Sequence, residues 1–148
     1  MGSRVTAAVV ARTQILHVDD NPGERLLVAE AFSELKRDYA IAIAQDGYEA
    51  LKLLQVWSIS EPPLVPNLIL LDVSMPRMGG LELLGILKQH PSWRSIPVVI
   101  LTNSSRPQER SEAAALGSQG FEIKPASFEG YLELLKRIET LVPSRLDP

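Results

Sequence analysis

Residues 67–80 read NLILLDVSMPRMGG, and they decide the fold. Asn67 to Leu71 reads as a short strand whose four residues after Asn67 are all apolar and which stops at Asp72. A run of that length without polar alternation predicts a strand buried on both faces, as in a parallel sheet. Met75 to Gly80 then packs proline and glycine into a turn. Leu81, Leu84 and Leu87 follow at helical spacing. One strand, one turn and one helix therefore lie in series, with an aspartate at the strand's carboxyl end.

The same unit recurs outward in both directions. Gln14 to Val18 is a near-continuous apolar run ending in Asp19-Asp20, and Asn21-Pro22 opens a helix with a capping residue and a first-turn proline. Tyr39 to Ala44 predicts a strand, Asp46-Gly47 a turn, and Tyr48, Leu51 and Leu54 a helix. Three prolines make Ser58 to Pro66 a loop. Pro97 to Leu101 predicts a buried strand ending at Thr102, and Ser105 to Leu116 an alanine-rich helix stopped by Gly117. Gly120 to Ile123 predicts a short strand ending at Lys124-Pro125, and Phe128 to Val142 a last amphipathic helix. Five such units predict an α/β, (βα)₅ doubly wound parallel sheet. Strands 1, 3 and 4 carry the continuous apolar runs and must be central. The order 2-1-3-4-5 meets that condition, which is the flavodoxin-like arrangement. The expected domain spans residues 13–142, with a leader at 1–12 and a tail at 143–148.

Length and composition narrow the function. The 148 residues suffice for one domain. A net charge of −3 is no footprint for nucleic acid. The chain has no cysteine and two histidines, which excludes thiol chemistry and a zinc site of the usual ligands. No stretch approaches the ~18 apolar residues of a membrane span. No signal peptide is recognisable, so a cytoplasmic location is expected.

In open parallel sheets the site lies beyond the carboxyl ends of the strands. Asp19 and Asp20, Asp72, Thr102 and Lys124 all stand there. Three carboxylates repel one another unless a cation joins them. An all-oxygen ligand set suits Mg²⁺. A metal, an ammonium and a hydroxyl beside a carboxylate form a phosphoryl-transfer site, with the carboxylate as nucleophile. His17 and His90 are not placed to act as a base.

The motifs ILHVDDN, LILLDVSMPRMGG, VVILTN and GFEIKP resemble those of response-regulator receiver domains of two-component signalling. The resemblance runs from about Thr13 to Val142. It implies that a sensor histidine kinase phosphorylates Asp72. It implies that Asp19, Asp20, Asp72 and the backbone carbonyl of Ser74 hold Mg²⁺, with Asp20 the direct ligand of the acidic pair. Thr102 and Phe121 become the switch pair, Lys124 the phosphate-binding lysine, and Lys124-Pro125 a cis peptide. The surface of helix 4, strand 5 and helix 5 becomes the partner or homodimer face. Six residues follow the last helix, so a stand-alone regulator is expected, with chemistry limited to self-phosphorylation and autodephosphorylation. The run HPSWRSIPVVILTNSS is most similar to regulators paired with phytochrome-type kinases.

Three other readings compete. A flavodoxin-type nucleotide carrier needs a phosphate loop where Asp19-Asp20 stand. A haloacid-dehalogenase-like phosphatase needs a second aspartate where Ser74 stands. A receiver-like scaffold that is never phosphorylated would not need the intact set of Asp72, Thr102 and Lys124.

Overall fold

The computed structural model describes residues 12–104 and 106–142. The expected leader, apart from Arg12, and the expected tail lie outside these residues. The elements are β1 (Thr13–Val18), α1 (Pro22–Ser33), β2 (Tyr39–Ala44), α2 (Gly47–Ser58), β3 (Leu68–Leu71), α3 (Gly80–Gln89), β4 (Val98–Thr102), α4 (Pro107–Leu116), β5 (Gly120–Ile123) and α5 (Phe128–Ile138). All strands are parallel, in the order β2-β1-β3-β4-β5. The flavodoxin-like arrangement expected from the apolar runs is therefore present.

Side-chain alternation divides the core in two. Leu16, Val18, Ile69, Leu71, Val98 and Ile100 face one side and pack with Leu54 of α2, Leu83, Leu84 and Leu87 of α3 and Ala113 of α4. Ile15, Leu68, Leu70, Val99 and Leu101 face the other and pack with Val28 and Phe32 of α1 and Leu134 and Leu135 of α5. Both faces of the three central strands are buried, so β3 and β4 read as continuous apolar runs and β1 as one interrupted by His17. Burying each such side chain stabilises the fold by about 1.5–3 kcal/mol.

Two boundaries differ from expectation by more than one residue. α4 starts at Pro107, because the proline holds Arg106 in an extended backbone and disfavours helix before it. The last α-helix ends at Ile138 and tightens into a single 3₁₀ turn, Glu139–Leu141. The proline-rich stretch is an ordered loop, tied by the Trp57 carbonyl accepting from the Ser60 and Leu64 amides. Among the described residues no helix is long and apolar enough to cross a membrane.

Candidate functional site

The sheet register assembles the acidic cluster. Val18 of β1 is paired with Leu71 of β3, so the residues that follow them, Asp19 and Asp72, leave the sheet side by side. Backbone bonds continue one residue further, since the Asp72 amide donates to Val18 O and the Asp19 amide to Ala44 O. Asp19 is buried and oriented: its Oδ1 accepts from the Asn21 amide at 2.9 Å, and its carbonyl from Arg25 Nη1 at 2.9 Å. Asp20 is exposed at the rim. One carboxylate oxygen from each of Asp19, Asp20 and Asp72 lies within 4.8 Å of the others. Three convergent hard oxygens, one of them open to solvent, fit a divalent cation that keeps part of its water shell.

Lys124 supplies the positive charge. Its amide donates to Thr102 O at 2.8 Å, which extends the β4–β5 pairing to the site. Its Nζ lies 2.9 Å from Asp19 Oδ2 and 3.6 Å from Asp72 Oδ2. Burial opposes the charge on Lys124, but the bond to Asp19 and the charges of Asp72, Asp19 and Glu24 outweigh it and raise its pKa. Burial pushes the Asp72 carboxyl up to about 6, against the pull of Lys124 and the Val73 and Ser74 amides and with the repulsion of Asp19. A carboxylate held at that cost is one that gains from a cation. His17 is buried beneath, with Nε2 3.8 Å from Asp19 Oδ2. Burial lowers it to about 4, so it is neutral at pH 7.

The rest of the site forms a cleft of about 560 Å³ whose lining includes Asp20, Asp72, Ser74, Thr102 and Lys124. The structure brings together all the strand-end residues singled out in the sequence. Thr102 is buried, and its Oγ1 accepts from the Ser104 amide at 3.2 Å. Phe121 is not in the cleft. It sits half-buried on β5 opposite Ile100, with the Arg110 guanidinium 4.8 Å from its ring centre. The Arg110 side chain therefore covers the expected switch ring.

The turn after Asp72 is held by contacts that its sequence does not advertise. Arg77 has a positive φ of 66°, and its guanidinium is paired with the buried Asp46 carboxylate. Asp46 also caps α2 through the Glu49 amide. A Cβ on Gly80 would lie 2.0 Å from Asp72 O, so only glycine lets α3 start this close to the site. The Asp46-Gly47 turn was visible in sequence, but nothing there pointed to Arg77 as its partner.

One expectation is corrected. The Lys124-Pro125 peptide is trans, and the cis X–Pro bond among the described residues is Glu61-Pro62. The trans form is favoured by about 0.5–1 kcal/mol. From it, Lys124 already reaches both carboxylates, so nothing here forces the cis form.

A strand-end acidic cluster with a buried lysine, on a five-stranded sheet of this order, has close counterparts. The chain belongs to the response regulator receiver domain family, whose model matches residues 15–138. It is similar to response regulator Rcp1 of Synechocystis sp., at 32% identity over 85% of this chain and 86% of that one. The crystal structure of the Mn²⁺-bound form of Rcp1 superposes with a TM-score of 0.76 at 31% identity, over 86% of this chain and 92% of the other. The phosphorylated cyanobacterial phytochrome response regulator RcpA gives 0.80 at 28% identity, over 89% and 94%. Family membership sets aside the nucleotide-carrier and phosphatase readings.

Proposed function

We propose that this protein is a stand-alone response regulator that accepts a phosphoryl group on Asp72 from a sensor histidine kinase and signals through protein–protein contacts. The observation that carries this reading is the Asp72 carboxylate, set beside two further carboxylates and 3.6 Å from Lys124 Nζ. A carboxylate oxygen of Asp72 attacks phosphorus, the bond from phosphorus to the kinase histidine breaks, and the imidazole nitrogen leaves with its electron pair. The product on this chain is a mixed anhydride. Asp19, Asp20, Asp72 and the Ser74 carbonyl would hold Mg²⁺, which when bound neutralises charge on the transferring oxygens. Asp20 faces solvent and can exchange water for metal, while buried Asp19 also orients Lys124.

Lys124 has two carboxylate partners and can shift toward a phosphoryl oxygen without losing Asp19. The Thr102 hydroxyl can rotate from the Ser104 amide to donate to another oxygen. Thr102 and Phe121 then act as the switch pair, with α4, β5 and α5 as the surface that reads it. In α4 only Ala113 is buried, so few contacts hold that helix in one place. The likeness to RcpA, a cyanobacterial phytochrome response regulator, supports a phytochrome-type kinase as the donor.

The test is intact mass after incubation with acetyl phosphate and Mg²⁺. One base-labile phosphoryl group is expected on the wild type and none on Asp72→Asn. Equal labelling of Asp72→Asn, or full labelling in chelator, overturns the assignment.

A further inference from the structure

The exposed apolar side chains are unevenly placed. Among the described residues, eight large ones are exposed, and four of them, Ile43, Tyr48, Val56 and Ile59, lie on β2, on α2 or directly after it. The surface of α4, β5 and α5 contributes only Ile123. Ile43 and Val56 border one shallow groove along the outer edge of β2, with Leu53, Glu49 and Lys52.

Among the described residues β2 is the outermost strand on that side. The carbonyls of Asp38 and Ala44 accept from the Thr13 and Asp19 amides of β1. The two-residue period of a strand then turns the N–H and C=O of Ile41 and Ile43 outward. Edge strands are ordinarily blunted by lysine, proline or a bulge, because free amides and carbonyls template further pairing. The edge strand YAIAIA has no charge and no proline of its own and pairs with β1 over all six residues; Arg12 Nη2 donates to the outward Tyr39 carbonyl at 2.9 Å, which leaves the edge open at Ile41 and Ile43.

We infer that the β2 edge and the outer face of α2 form a phosphorylation-independent docking surface for a second copy of this chain. The occupant is a second copy because the surface complements itself. An antiparallel pair of β2 strands with its twofold axis at Ala42 sets Ile41 opposite the partner's Ile43, and both exchange N–H···O=C bonds. The groove carries one acid and one base, so two identical grooves meet without net charge. The two five-stranded sheets become one sheet of ten. β5 lies at the opposite edge, so the surface of α4, β5 and α5 stays free to respond to Asp72.

The test is sedimentation velocity of the full chain, without phosphodonor and in chelator, from low micromolar to several hundred micromolar. Ile43→Lys restores the missing edge charge, Val56→Asp breaks the helix face, and Arg110→Glu probes the α4 side. All three positions are solvent-exposed, and circular dichroism checks that each variant is folded. The expected result is a wild-type dimer, weakened by about tenfold or more in Ile43→Lys and Val56→Asp. Arg110→Glu should leave it unchanged. A wild-type chain that stays monomeric overturns the proposal. So does a dimer that tolerates both edge substitutions or is lost in Arg110→Glu.

Discussion

Replacing Asp72 with Asn in the metal-free protein should make it more stable at neutral pH while abolishing phosphorylation. Burial and the neighbouring Asp19 hold the Asp72 carboxyl at about 6, against an ordinary value of 3.8. Below about pH 4 both the folded and unfolded states keep the proton, and wild type and Asp72→Asn should be alike. As pH rises from there, the unfolded chain releases its proton while the folded chain holds on to it until about 6. Stability therefore falls with pH across that window and levels off above it. At 1.36 kcal/mol per pH unit, the gap is worth ~3 kcal/mol at neutral pH. The assay is urea unfolding in chelator from pH 5 to 8. For a chain of this size, ~3 kcal/mol moves the midpoint by roughly 1–2 M. Asn keeps the volume and leaves Lys124 its 2.9 Å bond to Asp19, so no buried cation is orphaned. Saturating Mg²⁺ should then stabilise wild type far more than Asp72→Asn. A difference between the two proteins that stays constant with pH would falsify the claim that Asp72 is held in a repulsive, dehydrated setting.

Three other outcomes are expected. Gly80→Ala should cost about 1–3 kcal/mol or more in thermal unfolding, because the added methyl meets the Asp72 carbonyl at 2.0 Å and backbone must move. Asp46→Ala should cost about 1–2 kcal/mol through loss of the α2 cap. The Glu49 amide and then Arg77 hold the Asp46 carboxyl below its ordinary value, so the stability lost in Asp46→Ala should be present at neutral pH and vanish only in strong acid. Thr102→Ala should still gain one phosphoryl group by intact mass but lose the phosphorylation-dependent change in kinase affinity measured by titration calorimetry.

The strand ends show why so much of the site was legible. A parallel sheet buried on both faces needs unbroken apolar runs. Where such a run stops at Asp19, Asp72, Thr102 or Lys124, the stopping residue must lie at the carboxyl rim. Three such runs among five strands put β2 and β5 at the edges, a condition that the order 2-1-3-4-5 meets. Chain pattern alone thus determined which residues share one end of the sheet, and their chemistry determined that a cation and a phosphoryl group suit them.

Contacts between residues far apart in the chain were decided only on folding. Lys124 bonds Asp19 across 105 residues, and Arg77 pairs with Asp46 across 31. Neither distance has a local signal, because each depends on how two loops meet after the sheet has formed. The Lys124-Pro125 peptide is of the same kind, since sequence marks a proline but only its surroundings select the isomer. Arg110 over Phe121 needed the α4–β5 packing angle. That the β2 edge is open at Ile41 and Ile43 needed the strand order, for YAIAIA reads the same in a covered strand as in an open one. Periodicity is a property of neighbours along the chain, and it determined the elements and the rim. Pairing between elements depends on three-dimensional distance, and it alone set the charge on Asp72, the hold on its loop and the surface left uncovered.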